Sequence, residues 1–280
     1  MHRSTLVGTA ELAAHLDDPD WKVFDCRHDL SDPEYGPREY AKGHIPGARF
    51  MHVDHDLAAL VTGKNGRHPL PDAQVFMRKL GAAGVGDGTQ VVAYDAHGGV
   101  YAARFWWMLR WLGHTSVAVL DGCYAKWIGE HRSATATVPL AVPARFDGQP
   151  RAITVQASDI LELLGRPGSK LIDARAPDRY RGENETLDPV GGRIPGSLNR
   201  FFRENLDANG CFMSAAELRP VFRALLGDTP AGEVVHSCGS GVSACHNLLA
   251  MEIAGLPGAK LYPGSWSEWC SDASRPVEKG

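Results

Sequence analysis

The chain predicts an α/β fold built from two tandem domains, each a mainly parallel sheet flanked by helices. Three observations carry this reading. Residues 7–27 align without a gap on residues 155–175. Short β-rich runs alternate with stretches of helical periodicity in both halves. Each half holds roughly 120–130 residues, an ordinary domain size. Strands that alternate with helices pair in parallel, because each connection must cross over the sheet.

The elements can be followed in pairs. Thr9 and Ser158 are placed to cap an amphipathic helix at the start of each copy. Turns containing Pro19 and Pro167 follow. Next come strands that end in an Asp-x-Arg signature, Val23-Phe24-Asp25-Cys26-Arg27 and Leu171-Ile172-Asp173-Ala174-Arg175. The turn Gly43-His44-Ile45-Pro46-Gly47 then matches Gly192-Arg193-Ile194-Pro195-Gly196. A helix follows with Phe76 and Phe222 in register, and Ser214 with Glu217 reads as a capping box in the second copy. The strand Val91-Val92-Ala93-Tyr94 matches Val234-Val235-His236-Ser237, and the segment that closes on Trp127 matches the one that closes on Trp269. Residues 133–149 are rich in Ala, Thr, Pro and Gly without helical periodicity, which reads as a linker between domains at 1–132 and 150–280.

Composition narrows the function classes. A net charge of −4 and a pI near 6.3 give no electrostatic case for nucleic acid. No apolar run approaches the ~18 residues of a membrane helix, so no membrane partner is expected. Glu11 interrupts the N-terminal apolar stretch too early for a signal peptide. The six cysteines show no CxxC pair and no disulfide spacing, consistent with a reducing, cytoplasmic home.

One cysteine stands apart. Cys238 opens the segment Cys238-Gly239-Ser240-Gly241-Val242-Ser243, directly after the Val234-Val235 strand and before a run whose periodicity predicts a helix starting near Val242. A thiol at a strand-to-helix turn faces unpaired backbone N–H groups and the positive end of a helix dipole, both of which stabilise negative charge on sulfur. The carboxyl ends of parallel strands are where open α/β sheets gather their sites. The aligned position in the first copy is Asp95, so that copy lacks the nucleophile. Cys245, two turns into the predicted helix, reads as a packed apolar residue rather than a redox partner. His44, His52 and His55 read as structural, since His52-x-x-His55 has no second ligand pair; no metal and no cofactor are expected. The run Phe105-Trp106-Trp107-Met108-Leu109 reads as a core helix, and Trp266 as a pocket wall.

These signatures together resemble the two-domain rhodanese-type sulfurtransferases, and within them the 3-mercaptopyruvate sulfurtransferases. The paired Asp-x-Arg motifs, Gly43-His44-Ile45-Pro46-Gly47, Arg179-Tyr180-Arg181-Gly182, the loop that Cys238 opens and Tyr262-Pro263-Gly264-Ser265-Trp266 carry the likeness over nearly the whole chain. Cysteine phosphatases need an arginine six positions after the nucleophile to clamp phosphate; here Ala244 stands there. The resemblance implies ping-pong sulfur transfer through a persulfide on Cys238, with the backbone of Gly239, Gly241, Val242 and Ser243 holding the sulfur and Arg179 binding the donor's carboxylate. It also implies a proton relay of Ser240, His68 and Asp54 for the departing enolate. The neutral pair Gly239-Ser240 is similar to the pattern of the 3-mercaptopyruvate enzymes, so the resemblance implies 3-mercaptopyruvate as a small-molecule donor, with thioredoxin, another thiol or cyanide as acceptor. Thiosulfate as donor, or a non-catalytic sulfur-carrier module, are the alternatives. One departure matters: Asp188 occupies the place where the resemblance expects a second carboxylate-binding arginine. Arg193 and Arg181 are the candidates to supply that cation.

Overall fold

The computed structural model describes residues 2–166 and 168–280, so the turn expected at Pro167 lies outside the described residues. Two compact units divide the chain. One takes residues up to 59 with 71–152 and 208–212, and the other takes 60–70, 153–207 and 213–280. Segment 60–70, which carries His68, thus groups with the second repeat although it lies within the first in sequence. Its anchor is local: the Arg67 N–H donates to Ser267 Oγ at 3.0 Å, and Gly66 (φ +81°) presses so close to the Gly264 carbonyl that a Cβ would meet it at 2.8 Å.

The first unit runs β1 (Leu6–Val7), α1 (Thr9–Ala14), β2 (Trp21–Asp25), α2 (Tyr35–Lys42), β3 (Arg49–Phe50), α3 (Ala73–Ala82), β4 (Gln90–Tyr94), α4 (Val100–Trp111), β5 (Val117–Leu120) and α5 (Cys123–Gly129). Its sheet has the order β1-β5-β4-β2-β3 with every pair parallel. The second unit runs α6 (Ala157–Leu163), β6 (Lys170–Asp173), α7 (Pro177–Arg181), β7 (Leu198–Asn199), α8 (Ala215–Leu226), β8 (Val234–Ser237), α9 (Ser243–Ile253), β9 (Lys260–Leu261) and α10 (Ser265–Trp269). Its order is β7-β6-β8-β9, again parallel throughout. Thr154 bridges Leu261 where the first sheet has β1 beside β5.

The repeat is physical as well as textual. Val7, Leu12, Val23, Ile45, Val92 and Trp127 form one buried cluster, and their aligned partners Val155, Ile160, Leu171, Ile194, Val235 and Trp269 form the other. The Asp-x-Arg signature explains itself in both copies. Arg27 clasps Asp25 with Nε at 2.9 Å and Nη2 at 2.6 Å, then reaches the Gly43 carbonyl at 2.7 Å. Arg175 does the same with Asp173 and the Gly192 carbonyl. Each pair is buried, and it ties a strand end to the glycine turn that follows.

Some local expectations need correction. Gly8 rather than Thr9 caps α1; Thr9 lies inside the helix and its hydroxyl donates to Glu130 at 2.5 Å. Gln156 rather than Ser158 caps α6, in a reciprocal pair with Asp159. The Ser214–Glu217 capping box forms as expected, and Phe76 and Phe222 are both buried. Residues 105–109 of α4 are buried core. Residues 133–149 hold little regular structure, and 144 and 149 fasten to the first unit through the Gly81 and Leu112 carbonyls. No helix among the described residues is long and apolar enough to cross a membrane, and no disulfide joins any of the six cysteines.

Candidate active site

Cys238 follows β8 directly, with its side chain buried at the carboxyl end of the strand. The helix α9 begins at Ser243, with Val242 at its N-cap. The Gly241 N–H donates to Cys238 Sγ at 3.1 Å. Gly241 sits at φ +78°, and a Cβ there would meet the Pro263 carbonyl at 2.3 Å, so both conformation and space demand glycine. The loop is pinned from the closing segment. Cys238 N–H donates to Ser265 Oγ at 3.0 Å, while the Cys238 and Gly239 carbonyls accept from the Trp266 and Ser267 N–H groups at 2.9 Å. Ser265 is held at φ +53°, an unusual conformation for a residue with a side chain, and its hydroxyl also donates to the Tyr262 carbonyl.

Four of the other five cysteines, Cys26, Cys123, Cys245 and Cys270, are packed in the core. Burial, joined by nearby carboxylates, pushes the thiols of Cys26 and Cys123 up, and burial first of all pushes Cys270 up to about 11. Cys245 is fully buried in α9 and its thiol donates to the Gly241 carbonyl at 3.3 Å, as a packed residue would.

Of the three relay residues, the structure brings Ser240 and His68 together. Ser240 Oγ and His68 Nδ1 stand 2.7 Å apart, both buried, within the second unit. Asp54 belongs to the first unit, where its carboxylate lies 3.8 Å from His28 Nε2 and 4.0 Å from His52 Nδ1. His28, a residue that no sequence pattern marked, thus joins His52 and Asp54 in a group whose ligand atoms all lie within 4.8 Å. The Asp54 N–H also donates to His52 Nδ1 at 3.1 Å. His44 is structural, stacked on Tyr40 and hydrogen-bonded to the Tyr40 and Thr137 carbonyls.

Arg179, on α7, lies beside the loop: a Cβ built on Gly239 would stand 3.6 Å from its Nη2. Its guanidinium is held by Glu185, with Nη2 at 2.7 and 2.8 Å from the two oxygens. Burial raises the Glu185 carboxyl, but hydrogen bonds from Arg179 and from the Leu187 and Asp188 N–H groups leave it below its ordinary value. The two arginines named as candidates for a second cation each have acids of their own. Arg193 binds Glu278 and the Gly280 carbonyl and lies over the Tyr180 ring, and Arg181 pairs with Glu183. A second cation beside the loop is Arg67, which sequence reasoning missed; its Nη2 would stand 2.8 Å from a Gly239 Cβ. Trp266 is also corrected. It is a core residue, its indole N–H donating to the Val190 carbonyl and its ring under the Arg175 guanidinium.

The first unit carries the same loop with a different occupant. Asp95 follows β4 as Cys238 follows β8, and α4 begins five positions after it, as α9 does after Cys238. Gly98 matches Gly241 in its positive φ, at +75°. The Asp95 carboxylate accepts the N–H groups of His97, Gly99, Tyr101 and Ala102 at 2.8–3.0 Å. The loop geometry therefore presents converging amides to a negative group, here supplied by the chain itself.

Comparison with known proteins agrees with this geometry. The rhodanese-like domain model matches residues 8–130 and 156–272. The chain is 46% identical over 283 residues to a Pseudomonas aeruginosa protein named a probable 3-mercaptopyruvate sulfurtransferase, covering 100% of both chains. It is 34% identical over 259 residues to the thiosulfate sulfurtransferase of Bos taurus, covering 90% of this chain and 85% of that one. A 3-mercaptopyruvate sulfotransferase structure from Escherichia coli superposes with a TM-score of 0.82 at 30% identity, covering 94% of this chain and 99% of that one. Two matched domains, a buried cysteine under a loop amide and relatives of matching length lead to one statement: the chain belongs to the rhodanese-like family, as a two-domain sulfurtransferase.

Proposed function

We propose that the protein takes sulfur from 3-mercaptopyruvate onto Cys238 and passes it to a thiol, such as that of thioredoxin, or to cyanide. The observation that carries this reading is the Cys238 sulfur, hydrogen-bonded by the Gly241 amide and flanked at Gly239 by the guanidinium of Arg179. In the first step the Cys238 thiolate attacks the donor sulfur. An S–S bond forms, the donor C–S bond breaks, and its electron pair leaves on pyruvate enolate, which takes a proton at carbon. In the second step the acceptor attacks the outer sulfur and the electron pair returns to Cys238 as thiolate. The Gly241 amide, with the backbone of Gly239, Val242 and Ser243, holds the negative sulfur. Ser240 and His68 pass the proton, with Asp54 as third member. The free thiols of this chemistry suit a reducing compartment such as the cytoplasm.

Charge supports the same donor. The two guanidinium groups beside Gly239 are each held by an acid, Arg179 by Glu185 and Arg67 by Asp188, so the ensemble is balanced. A balanced ensemble suits a monoanion better than the thiosulfate dianion. Pyruvate release from 3-mercaptopyruvate should fall at least about 10³-fold in Cys238→Ser, given the cost of removing a nucleophile. Equal turnover in variant and wild type would end the proposal. Mass spectrometry after donor exposure separates the enzyme from a carrier module: a module adds no sulfur at Cys238 and releases no pyruvate.

A further inference from the structure

We infer that Arg67 is a donor-binding residue and that Asp188 is its internal competitor, an acid of the chain occupying the cation that the donor's carboxylate must take. This rests on the reading above that an anionic donor enters at Cys238. Arg67 and Asp188 are 121 residues apart in sequence and form a direct ion pair in the second unit. Arg67 Nη2 is the group nearest to a Cβ built on Gly239, at 2.8 Å, with Arg179 Nη2 next at 3.6 Å. The two cations therefore flank the residue that follows the nucleophile.

Exposure separates the signs. The Arg67 and Arg179 side chains are 26% and 21% exposed, whereas those of Asp188 and Glu185 are 4% and 3% exposed. The guanidinium groups thus present an open face while their acids lie beneath. The two acids are not equal. Glu185 holds Arg179 through both oxygens and is also 3.5 Å from Arg175 Nη1. Asp188 gives one oxygen to Arg67; its Oδ2 is buried without a hydrogen-bond partner, 3.8 Å from Arg179. A buried carboxylate with an unsatisfied oxygen is the weaker holder. Burial also raises the Asp188 carboxyl despite the Arg67 contact, as expected of an incompletely compensated acid. A donor carboxylate therefore competes more easily for Arg67 than for Arg179, whose fork is already filled.

Steady-state assays with 3-mercaptopyruvate and cyanide test this in wild type, Arg67→Ala, Arg67→Lys, Asp188→Asn and the Arg67→Ala/Asp188→Asn double variant. The KM should rise about tenfold in Arg67→Ala, the scale of one charge-assisted contact, with kcat changed much less and partial recovery in Arg67→Lys. Asp188→Asn should lower the KM several-fold, and this gain should vanish in the double variant, which has no Arg67 to release. An unchanged or raised KM in Asp188→Asn, or the same gain without Arg67, would overturn the inference. Pyruvate binding to Cys238→Ser protein, followed by calorimetry with and without Arg67→Ala, supplies a readout without turnover. Pyruvate binding that depends on Arg67 upholds the inference even if wild type fails to turn over mercaptopyruvate, in which case the proposed donor fails alone. Pyruvate binding indifferent to Arg67 sinks the inference and leaves the proposed function standing.

Discussion

Pyruvate departs from mercaptopyruvate as an enolate and needs a proton at carbon, whereas thiosulfate leaves sulfite and needs none. The Ser240–His68 hydrogen bond therefore yields a donor-specific prediction. His68→Ala should lower kcat with 3-mercaptopyruvate about 10²-fold, the usual scale of general acid–base catalysis, and change kcat with thiosulfate by a small factor. Equal losses with both donors would assign His68 to loop shape instead. Cys238 stood out because its setting is local, a strand end, a tight turn and a helix start within ten residues, whereas Ser240 entered only through the family resemblance. Asp188 was marked as a departure but its pairing was not, and Arg67 and Glu185 were not marked at all, since a charge is informative only with its partner, and the Arg67 partner lies 121 residues away. Arg193 is a similar case, since the Glu278 that holds it lies 85 residues away, whereas the Glu183 that pairs with Arg181 is only two residues on.

Among the elements, the Cys238 loop owes its shape to one glycine. Gly241→Ala would place a methyl 2.3 Å from the Pro263 carbonyl at a φ of +78°. It should cost at least about 1–3 kcal/mol and reduce persulfide formation, read by urea unfolding and by mass spectrometry of donor-treated protein. A variant with wild-type stability and labelling would show that the loop tolerates another path. The helix α8 offers a milder test away from the site. Ser214→Ala removes its cap and should cost about 1 kcal/mol in unfolding free energy with turnover unaffected. Strand and helix order was readable because the copies corroborate each other, each apolar position being checked by its partner. Cap positions were less readable: Thr9 is a good capping residue, but Glu130 engages its hydroxyl, and Gly8 takes the cap through its extended backbone.

At the level of the whole molecule, acid should weaken the fold through a group outside the chemistry. His236, fully buried in β8, has a pKa pushed down to about 3 by burial, below the ordinary 6.5. The folded state keeps the ring neutral while the unfolded state takes a proton below pH 6.5, so this contribution is complete above that pH. It is lost progressively as the pH falls from 6.5 towards 3. Between pH 7 and 5 the loss should be about 2 kcal/mol, and His236→Leu should show a correspondingly flatter dependence in urea titrations. Matching pH profiles in the two proteins would refute this. Duplication made the architecture the most legible level of all, since the paired Asp-x-Arg motifs already mark two strand ends that tie to two glycine turns. The sister loop shows what that duplication left behind. Asp95 is tethered to the amides it satisfies, so its effective concentration exceeds that of any free anion in solution. The first unit is in this sense permanently occupied. Dissolved sulfite, phosphate or a stray donor must displace a carboxylate that cannot diffuse away, so of the two copies of the loop it is the one opening on Cys238 that suits an incoming donor.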